Sequence, residues 1–454
     1  MPHRQANSVP APARLLGGLV QVRKGEGALL GWSMGYFFFL LFSYYLLRPM
    51  REAFGIAKGA DKLPWLMTGT MVVMFLANPL FASVVSHLPR RRFIPLAYRF
   101  CAASLGLFYL LFRMLPGHGG PALGYTFYIW LSVFNLFTVS VFWAFMTDTF
   151  NEEQGMRLFS VIAVGGTLGG ILGAACTGLL TTGFHLAGHA VQLQATSLLL
   201  LAIVALECAV QCASRLLRRV LPATGASRGR EPGPGIFEGL RLFSSSPYLL
   251  LIGSYILLFT ITSTLLYMVQ GQIVARTFTG QVARTAAFAR IDFWVNVVTL
   301  FSQVFLASRI IGRLGMRATL CLMPLLTAAG FGALWAWPAF ATLVVFQVLR
   351  RGLHYAVDRP AREMLFIPLG PEEKFKAKPF IDTFVYRSGD LMGTWTPAPL
   401  AMTGIPIGAA AMGISALWFL AGHRMGSLQR QAAARQDTEA RRLEPVMGAD
   451  VYSS

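Results

Sequence analysis

Apolar residues run along this chain in blocks close to twenty residues long, separated by short polar or basic turns. An α-helix rises about 1.5 Å per residue, so about twenty apolar residues cross the hydrocarbon of a bilayer. The blocks fall at 28–47, 64–86, 93–114, 123–146, 158–182 and 191–213, then at 248–272, 286–307, 317–337, 339–357, 377–399 and 405–423. Between the two sets, SRLLRRVLPATGASRGREPGPG has the Arg, Gly and Pro content of a linker. The pattern predicts an all-α integral membrane protein with 12 transmembrane helices in two six-helix bundles. Its segments are an N-tail at 1–27, a first bundle at 28–213, a basic linker at 214–247, a second bundle at 248–423 and a C-tail at 424–454.

Composition narrows the class. Of 454 residues, 55% are hydrophobic and 13% are charged, a balance that soluble globular chains of this length do not keep. The net charge of +19 raises nucleic acid as a partner, but its distribution points elsewhere. With both termini cytoplasmic, the cytoplasmic segments with their adjoining block ends hold 29 Lys and Arg, and the outer loops with theirs hold seven. That bias orients inner-membrane proteins, so the charge serves topology and anionic lipid and no nucleic acid is expected. The expected location is a bacterial inner (plasma) membrane, crossed many times. Polar residues 1–27 precede a block of full spanning length, which is the pattern of a cytoplasmic tail rather than a cleaved signal.

The cysteines Cys101, Cys176, Cys208, Cys212 and Cys321 are dispersed, and the helically spaced pair His185 and His189 has no acidic neighbour. No disulfide framework, metal or cofactor is expected from them. A phosphate-binding loop of the form Gly-x4-Gly-Lys-Ser/Thr does not occur, which argues against ATP hydrolysis as the power source.

Charges within the blocks carry the candidate chemistry. Four of the seven outer charges, Arg48, Arg51, Lys58 and Lys62, cluster behind the first block, against the general bias. On a helix Tyr44, Arg48 and Arg51 share a face, and Glu52 reaches Arg48 at i+4. Two readings fit: arginines snorkelling to headgroups, or planar cations that clamp a phosphate or carboxylate. In 286–307, Asp292, Asn296, Thr299 and Gln303 form a polar stripe at i, i+4, i+7 and i+11. Such a stripe faces a bundle interior, as an interhelical hydrogen-bond seam or as the wall of an aqueous path.

Lys378, Asp382, Tyr386 and Asp390 recur every four residues on the eleventh block and its approach, with Arg387 beside Asp390. Some of these groups neutralise one another. Each still matters, because an ionisable group at the bilayer centre costs about 2.5–3.5 kcal/mol to insert. Arg350 and Arg351 fall in the cytoplasmic half of 339–357. Gly165, Gly169 and Gly173 present a face without side chains, suited to close helix packing or to rocking of one helix on another. Two six-span halves with buried charges describe a secondary transporter with its site near the midplane.

GRLGMR, at 312–317, resembles the short basic turn of the major facilitator superfamily, although its partner SHLPRRRF lacks the acidic residue of that motif. Three longer segments resemble the ATP:ADP antiporter (nucleotide translocase) family, a branch of that superfamily. They are LLRPMREAFG, FWAFMTDTFNEEQGMRLFSVIAVGGTLGG and DRPAREMLFIPLGPEEKFKAKPFID. In the third, Pro360, Glu363, Met364, Ile367-Pro368-Leu369 and the ladder Lys374, Lys376, Lys378 and Asp382 keep the family's spacing.

The resemblance implies the major facilitator fold, alternating access and exchange of ATP for ADP. Arg48, Arg51, Lys378 and Arg350 would hold phosphates. Arg51-Glu52 stands where the family carries Lys-Asp, which leaves room for another anion. Beside these, Tyr44, Tyr386 and Asn296 are candidates to contact substrate. Glu52, Asp292, Asp382, Arg387 and Asp390 are candidates for state-dependent ion pairs or proton coupling, and Arg157 with the three glycines for gating or packing. The expected partners are a small anionic substrate (nucleotide or phosphate compound) and the bilayer, around a monomer. The alternatives are a proton-coupled carrier of a non-nucleotide organic anion, a polytopic membrane enzyme or lipid flippase, and a non-transporting sensor on a carrier body.

Overall fold

The computed structural model describes residues 22–23, 25–87, 90–115, 120–186, 189–192, 194–220, 236–305, 307–366, 369, 377–378 and 380–449. Most of the N-tail, linker residues 221–235, Ile367, Pro368, Lys374 and Lys376 lie outside the described residues.

Helices follow the apolar blocks. In chain order they are α1 (Gly27–Gly55), α2 (Leu63–His87), α3 (Arg90–Met114), α4 (Gly120–Thr149), α5 (Glu152–Thr182), α6 (Leu198–Val220), α7 (Ile236–Ser245) and α8 (Pro247–Thr277). Next come α9 (Gln281–Phe305), α10 (Ala307–Ala336) and α11 (Phe340–Leu353), which continues through a π turn at His354–Asp358 into α12 (Arg359–Met364). A second π turn at Ile381–Val385 leads into α13 (Tyr386–Trp395), α14 (Pro397–Thr403) and α15 (Ile407–Ala449). Among the described residues, seven helices are long and apolar enough to cross a membrane. Phe75, Phe100, Leu110, Trp294, Trp335 and Leu417 are exposed, an outer surface suited to lipid. The protein is a multi-pass membrane protein.

Three boundaries differ from the apolar pattern. First, α1 runs to Gly55 rather than stopping at 47, so Arg48 and Arg51 lie on the helix and not in a loop. Pro49 removes one backbone donor there. The helix persists because Met50, Glu52 and Ala53 are buried beyond it. Second, α6 begins at Leu198 rather than 191, because β1 (Phe184–Leu186) and β2 (His189–Val191) pair as an antiparallel hairpin. His185 sits opposite Ala190 and His189 opposite Leu186, so the two histidines do not occupy successive helical turns. Third, the block 377–399 is broken by the π turn and by Pro397, which opens α14.

The basic turn GRLGMR is made at Gly315, where φ 70° and ψ 166° interrupt α10. That region is almost closed to residues with a Cβ. Gly315→Ala is therefore expected to cost about 1–3 kcal/mol through backbone strain alone. Its Cβ would meet no atom within 4 Å, so a lowered melting temperature would report backbone and not packing.

The chain packs as two compact units, one holding residues 1–54, 69–227 and 280–296, the other 55–68, 228–279 and 297–454. In the first unit, α1 is the central element. Its Tyr36, Leu40, Leu46, Leu47 and Met50 are fully buried. Tyr36 Oη lies 2.6 Å from Tyr98 Oη, and Tyr98 donates to the Thr138 carbonyl at 2.8 Å, joining α1, α3 and α4. Ser43 donates to the Ala202 carbonyl of α6, and Thr177 of α5 donates to that of Leu46 at 2.7 Å.

The glycine face of α5 lies against the α1 backbone. A methyl at Gly165 would lie 2.8 Å from the Met34 carbonyl oxygen, and one at Gly173 would lie 2.6 Å from that of Phe42. Gly169 meets Phe38 between them, so both helices advance in steps of four.

The second unit repeats the device. A Cβ at Gly393 of α13 would lie 2.8 Å from the Ile261 carbonyl of α8, and one at Gly389 would lie 3.0 Å from that of Leu257. The core beside this crossing holds Ile252, Tyr255, Ile256, Phe259 and Trp418.

Candidate functional site

In the first unit, the end of α1 and the first half of α9 bring four charges together. Arg48 donates through Nη1 to Asp292 Oδ1, and its Nε is 3.8 Å from Glu52 Oε1. Arg51 Nη2 donates to the same Glu52 oxygen at 2.8 Å. Side-chain exposure is 15% for Arg48, 13% for Arg51, 3% for Glu52 and 4% for Asp292, so the four are packed inside and do not snorkel. Two guanidiniums and two carboxylates make the group neutral. Arg51 also lies 4.5 Å above the Tyr128 ring, and Arg48 5.7 Å from the Tyr45 ring. Tyr44 is half-buried and packs edge-on against Tyr45.

The polar stripe of α9 is buried at Asp292, Asn296 and Thr299 and half-buried at Gln303, whereas Trp294, Phe301 and Phe305 on the same helix are exposed. Asn296 donates to the Asp292 carbonyl at 2.8 Å. A Cβ at Gly170 would lie 2.9 Å from Asn296 Oδ1, so the small residues of α5 also make room for the amide.

The second unit holds the remaining candidates. Arg350 is 4% exposed and bonds neutral groups: Nε donates to Thr327 Oγ1 at 3.1 Å, and Nη2 to Ser263 Oγ at 2.9 Å and Thr262 Oγ1 at 3.3 Å. Lys378 pairs with Glu363 at 2.5 Å. The π turn at Ile381–Val385 breaks the four-residue face read from the sequence and leaves Asp382 exposed. Tyr386 turns toward Phe259, with ring centroids 6.4 Å apart. Asp390 accepts from Thr264 at 3.1 Å and pairs with Arg387 at 3.3 Å.

Arg157 lies in a different setting. It binds the Glu26 carboxylate with Nη2 at 3.0 Å, and Gln154 donates to the same group at 3.1 Å. This clasp holds the start of α1 to the capping box of α5, where Asn151 and Gln154 bond each other's backbone. The Arg157 guanidinium, the Arg23 backbone N–H and the Gln154 amide hold the Glu26 carboxyl at about 2 against an ordinary 4.5. A depressed carboxyl pKa contributes stability fully above the unfolded value and loses it as pH falls toward the folded one. The wild type should therefore lose melting temperature between about pH 4.5 and about pH 2 more steeply than Glu26→Gln does. Identical slopes for the two proteins would show that the clasp adds nothing.

Residues 124–396, more than half of the chain, match the family described as TLC ATP/ADP transporter. The chain belongs to this family. The family's description is that of a transporter. The ADP,ATP carrier protein 1 of Chlamydia trachomatis serovar D is 23% identical over 336 residues, covering 66% of this chain and 64% of the carrier. That of Chlamydia muridarum is 24% identical over 246 residues, covering 48% and 46%. The chain thus spans less than two thirds of the length of these relatives.

Among solved structures, an auto-inhibited POT-family peptide transporter matches with a TM-score of 0.59 at 13% identity, covering 89% of this chain and 96% of that one. A bacterial homologue of the human lysosomal transporter Spinster matches with a TM-score of 0.53 at 12% identity, covering 91% and 96%. The likeness is one of fold, and the fold is that of the major facilitator carriers. The TLC match includes Asp292, Asn296, Arg350, Lys378, Tyr386 and Asp390, and begins after Arg48 and Arg51.

Sequence reading missed Glu26, Tyr255, His354, Asp358 and Arg362. The last three were visible in principle, since with Arg350 they recur every four residues. Glu26 carried no such signal, because its side-chain partners Gln154 and Arg157 lie more than a hundred residues away.

Proposed function

We propose that the protein is a secondary transporter of the inner membrane that exchanges nucleotides of the ATP/ADP type by alternating access, as a monomer with both termini cytoplasmic. The family match over 124–396 carries this reading. The relatives named ADP,ATP carrier support the choice of nucleotide over other anions.

In this reading, Arg48 and Arg51 hold substrate phosphates, with Lys378 and Arg350 as further cationic contacts. The neutral group of Arg48, Arg51, Glu52 and Asp292 supports a specific step. An incoming phosphate replaces the carboxylates on the guanidiniums, because planar donors pair equally well with either oxyanion. Asp292 and Glu52 then give up their pairing with the two arginines until the phosphate leaves, which ties substrate occupancy to ion-pair rearrangement. Tyr44 and Asn296 in the first unit and Tyr386 in the second are further candidates to contact the base or sugar, and Asp382, Arg387 and Asp390 are candidates to rearrange during the cycle.

Ligand binding to the folded state must raise its melting temperature. ADP and ATP are expected to stabilise the purified protein at submillimolar concentration, while sugars, amino acids and citrate do not. Stabilisation by citrate and not by either nucleotide would replace this reading with that of an organic-anion carrier.

A further inference from the structure

In the second unit, α11, the π turn and α12 carry Arg350, His354, Asp358 and Arg362 at four-residue steps. In an α-helix such steps drift by about 40° each. The wider π turn takes back part of that drift, and π turns recur at functional sites. The group accordingly gathers at one aromatic ring, that of Phe259. His354 stacks on it at 4.5 Å, and the guanidinium carbons of Arg350 and Arg362 lie 5.4 and 5.2 Å from its centroid.

The charges of this group do not balance. Asp358 is fully buried, with Tyr255 Oη at 2.9 Å, His354 Nδ1 at 3.0 Å and Arg362 Nε at 3.8 Å. A carboxylate only accepts, so the His354 nitrogen facing it carries the proton. Arg350 is held by hydroxyls and the Phe259 carbonyl. Arg362 Nε and Nη1 are buried and make no hydrogen bond among the described residues. Of the neighbouring acids, Glu363 pairs with Lys378 and Asp390 with Arg387 and Thr264, while Asp382 is exposed and its charge acts on Lys378 and Arg359 as well as on Arg362, so Asp358 is the buried counter-charge of the group. Two guanidiniums packed inside thus share one buried carboxylate, in contrast to the neutral group around Arg48. Buried donors nearly always have partners, so orphaned guanidinium N–H groups beside excess positive charge call for an oxyanion.

We propose that Arg350 and Arg362, flanking Phe259, form a second oxyanion site that takes a phosphate or diphosphate group of the cargo. Asp358, 3.8 Å from Arg362 Nε, is the internal negative charge that competes with the oxyanion. The assignment to cargo rests on the transporter reading, whereas the site itself rests on the charge count and the orphan donors. An anionic lipid headgroup offers the same chemistry, and the test separates the two sources.

The test titrates inorganic pyrophosphate into the full-length protein in a neutral detergent, following the melting temperature and the heat of binding. Wild type should bind, and Arg362→Gln should weaken binding at least tenfold. Asp358→Asn removes the internal negative charge at constant size, and should leave binding unchanged or tighter. Where Arg362→Gln does not fold, Arg362→Lys should weaken binding several-fold, because a point charge replaces the planar fork.

Absence of binding to wild type, equal affinity in the Arg362 variants, or an Asp358→Asn loss as large as theirs would overturn the proposal. Competition by added phosphatidylglycerol would overturn the cargo assignment in favour of lipid. If ADP exchange fails while pyrophosphate binding still depends on Arg362, the nucleotide reading falls and the site stands. Normal ADP exchange by Arg362→Gln would overturn the cargo assignment and leave the nucleotide reading.

Discussion

Arg48→Gln is expected to abolish nucleotide exchange, with a fall of roughly 100-fold from the loss of charge-assisted bonds to phosphate. The same change breaks the ion pair of Arg48 with Asp292 and keeps that of Arg51 with Glu52. Breaking a buried ion pair from one side costs about 3–5 kcal/mol, so stability also falls. Loss of transport alone therefore does not separate a binding arginine from a structural one.

The double variant Arg48→Gln with Asp292→Asn separates them. Removing both charges of a buried pair is often nearly neutral, so most of the lost melting temperature should return. Exchange should not return, because one of the two guanidiniums that hold the phosphate is still missing. Recovery of exchange together with stability would make Arg48 a structural residue.

Gly169→Leu is expected to prevent folding of the first unit. Its neighbours are not side chains that can turn away but the Phe38 carbonyl and the Phe42 amide of α1. Overpacking a side-chain core costs about 1–3 kcal/mol, and a clash with helix backbone costs more because α1 and α5 must part along their whole crossing. Gly178→Ala on the same helix is the control, since its Cβ would lie 3.9 Å from that of Ala289, ordinary van der Waals contact. That variant should purify as a monodisperse protein with an unchanged or slightly raised melting temperature, Ala being the better helix former. Size-exclusion chromatography of the two variants checks both outcomes, and a well-folded Gly169→Leu protein would contradict the crossing.

The apolar blocks made the fold legible because a membrane helix depends on length and composition, both local properties of sequence. The glycine face of α5 was legible for a related reason: spacing by four, without side chains, has one common use in lipid. Boundaries were less legible where tertiary partners decide them. Nothing local extends α1 past Pro49; the buried carboxylates Glu52 and Asp292 around Arg48 and Arg51 do so.

The site was legible in part. Glu52 lies within reach of Arg48 at i+4 as the spacing indicates, whereas Asp292, 244 residues away, could be read only as one member of a stripe. Periodicity misled on the eleventh block, where a π turn turns Asp382 outward and hands Lys378 to Glu363. Sequence periodicity assumes a constant helical turn, and the two π turns of the second unit break that assumption at its most charged segments.

Counterflow tests the central claim most directly. Proteoliposomes preloaded with ADP and diluted into labelled ATP should accumulate label in the wild type, with uptake abolished by omitting internal ADP and by Arg48→Gln. Uptake that is absent across ATP, ADP and other nucleotides in the wild type, or equally fast in Arg48→Gln, would contradict the account.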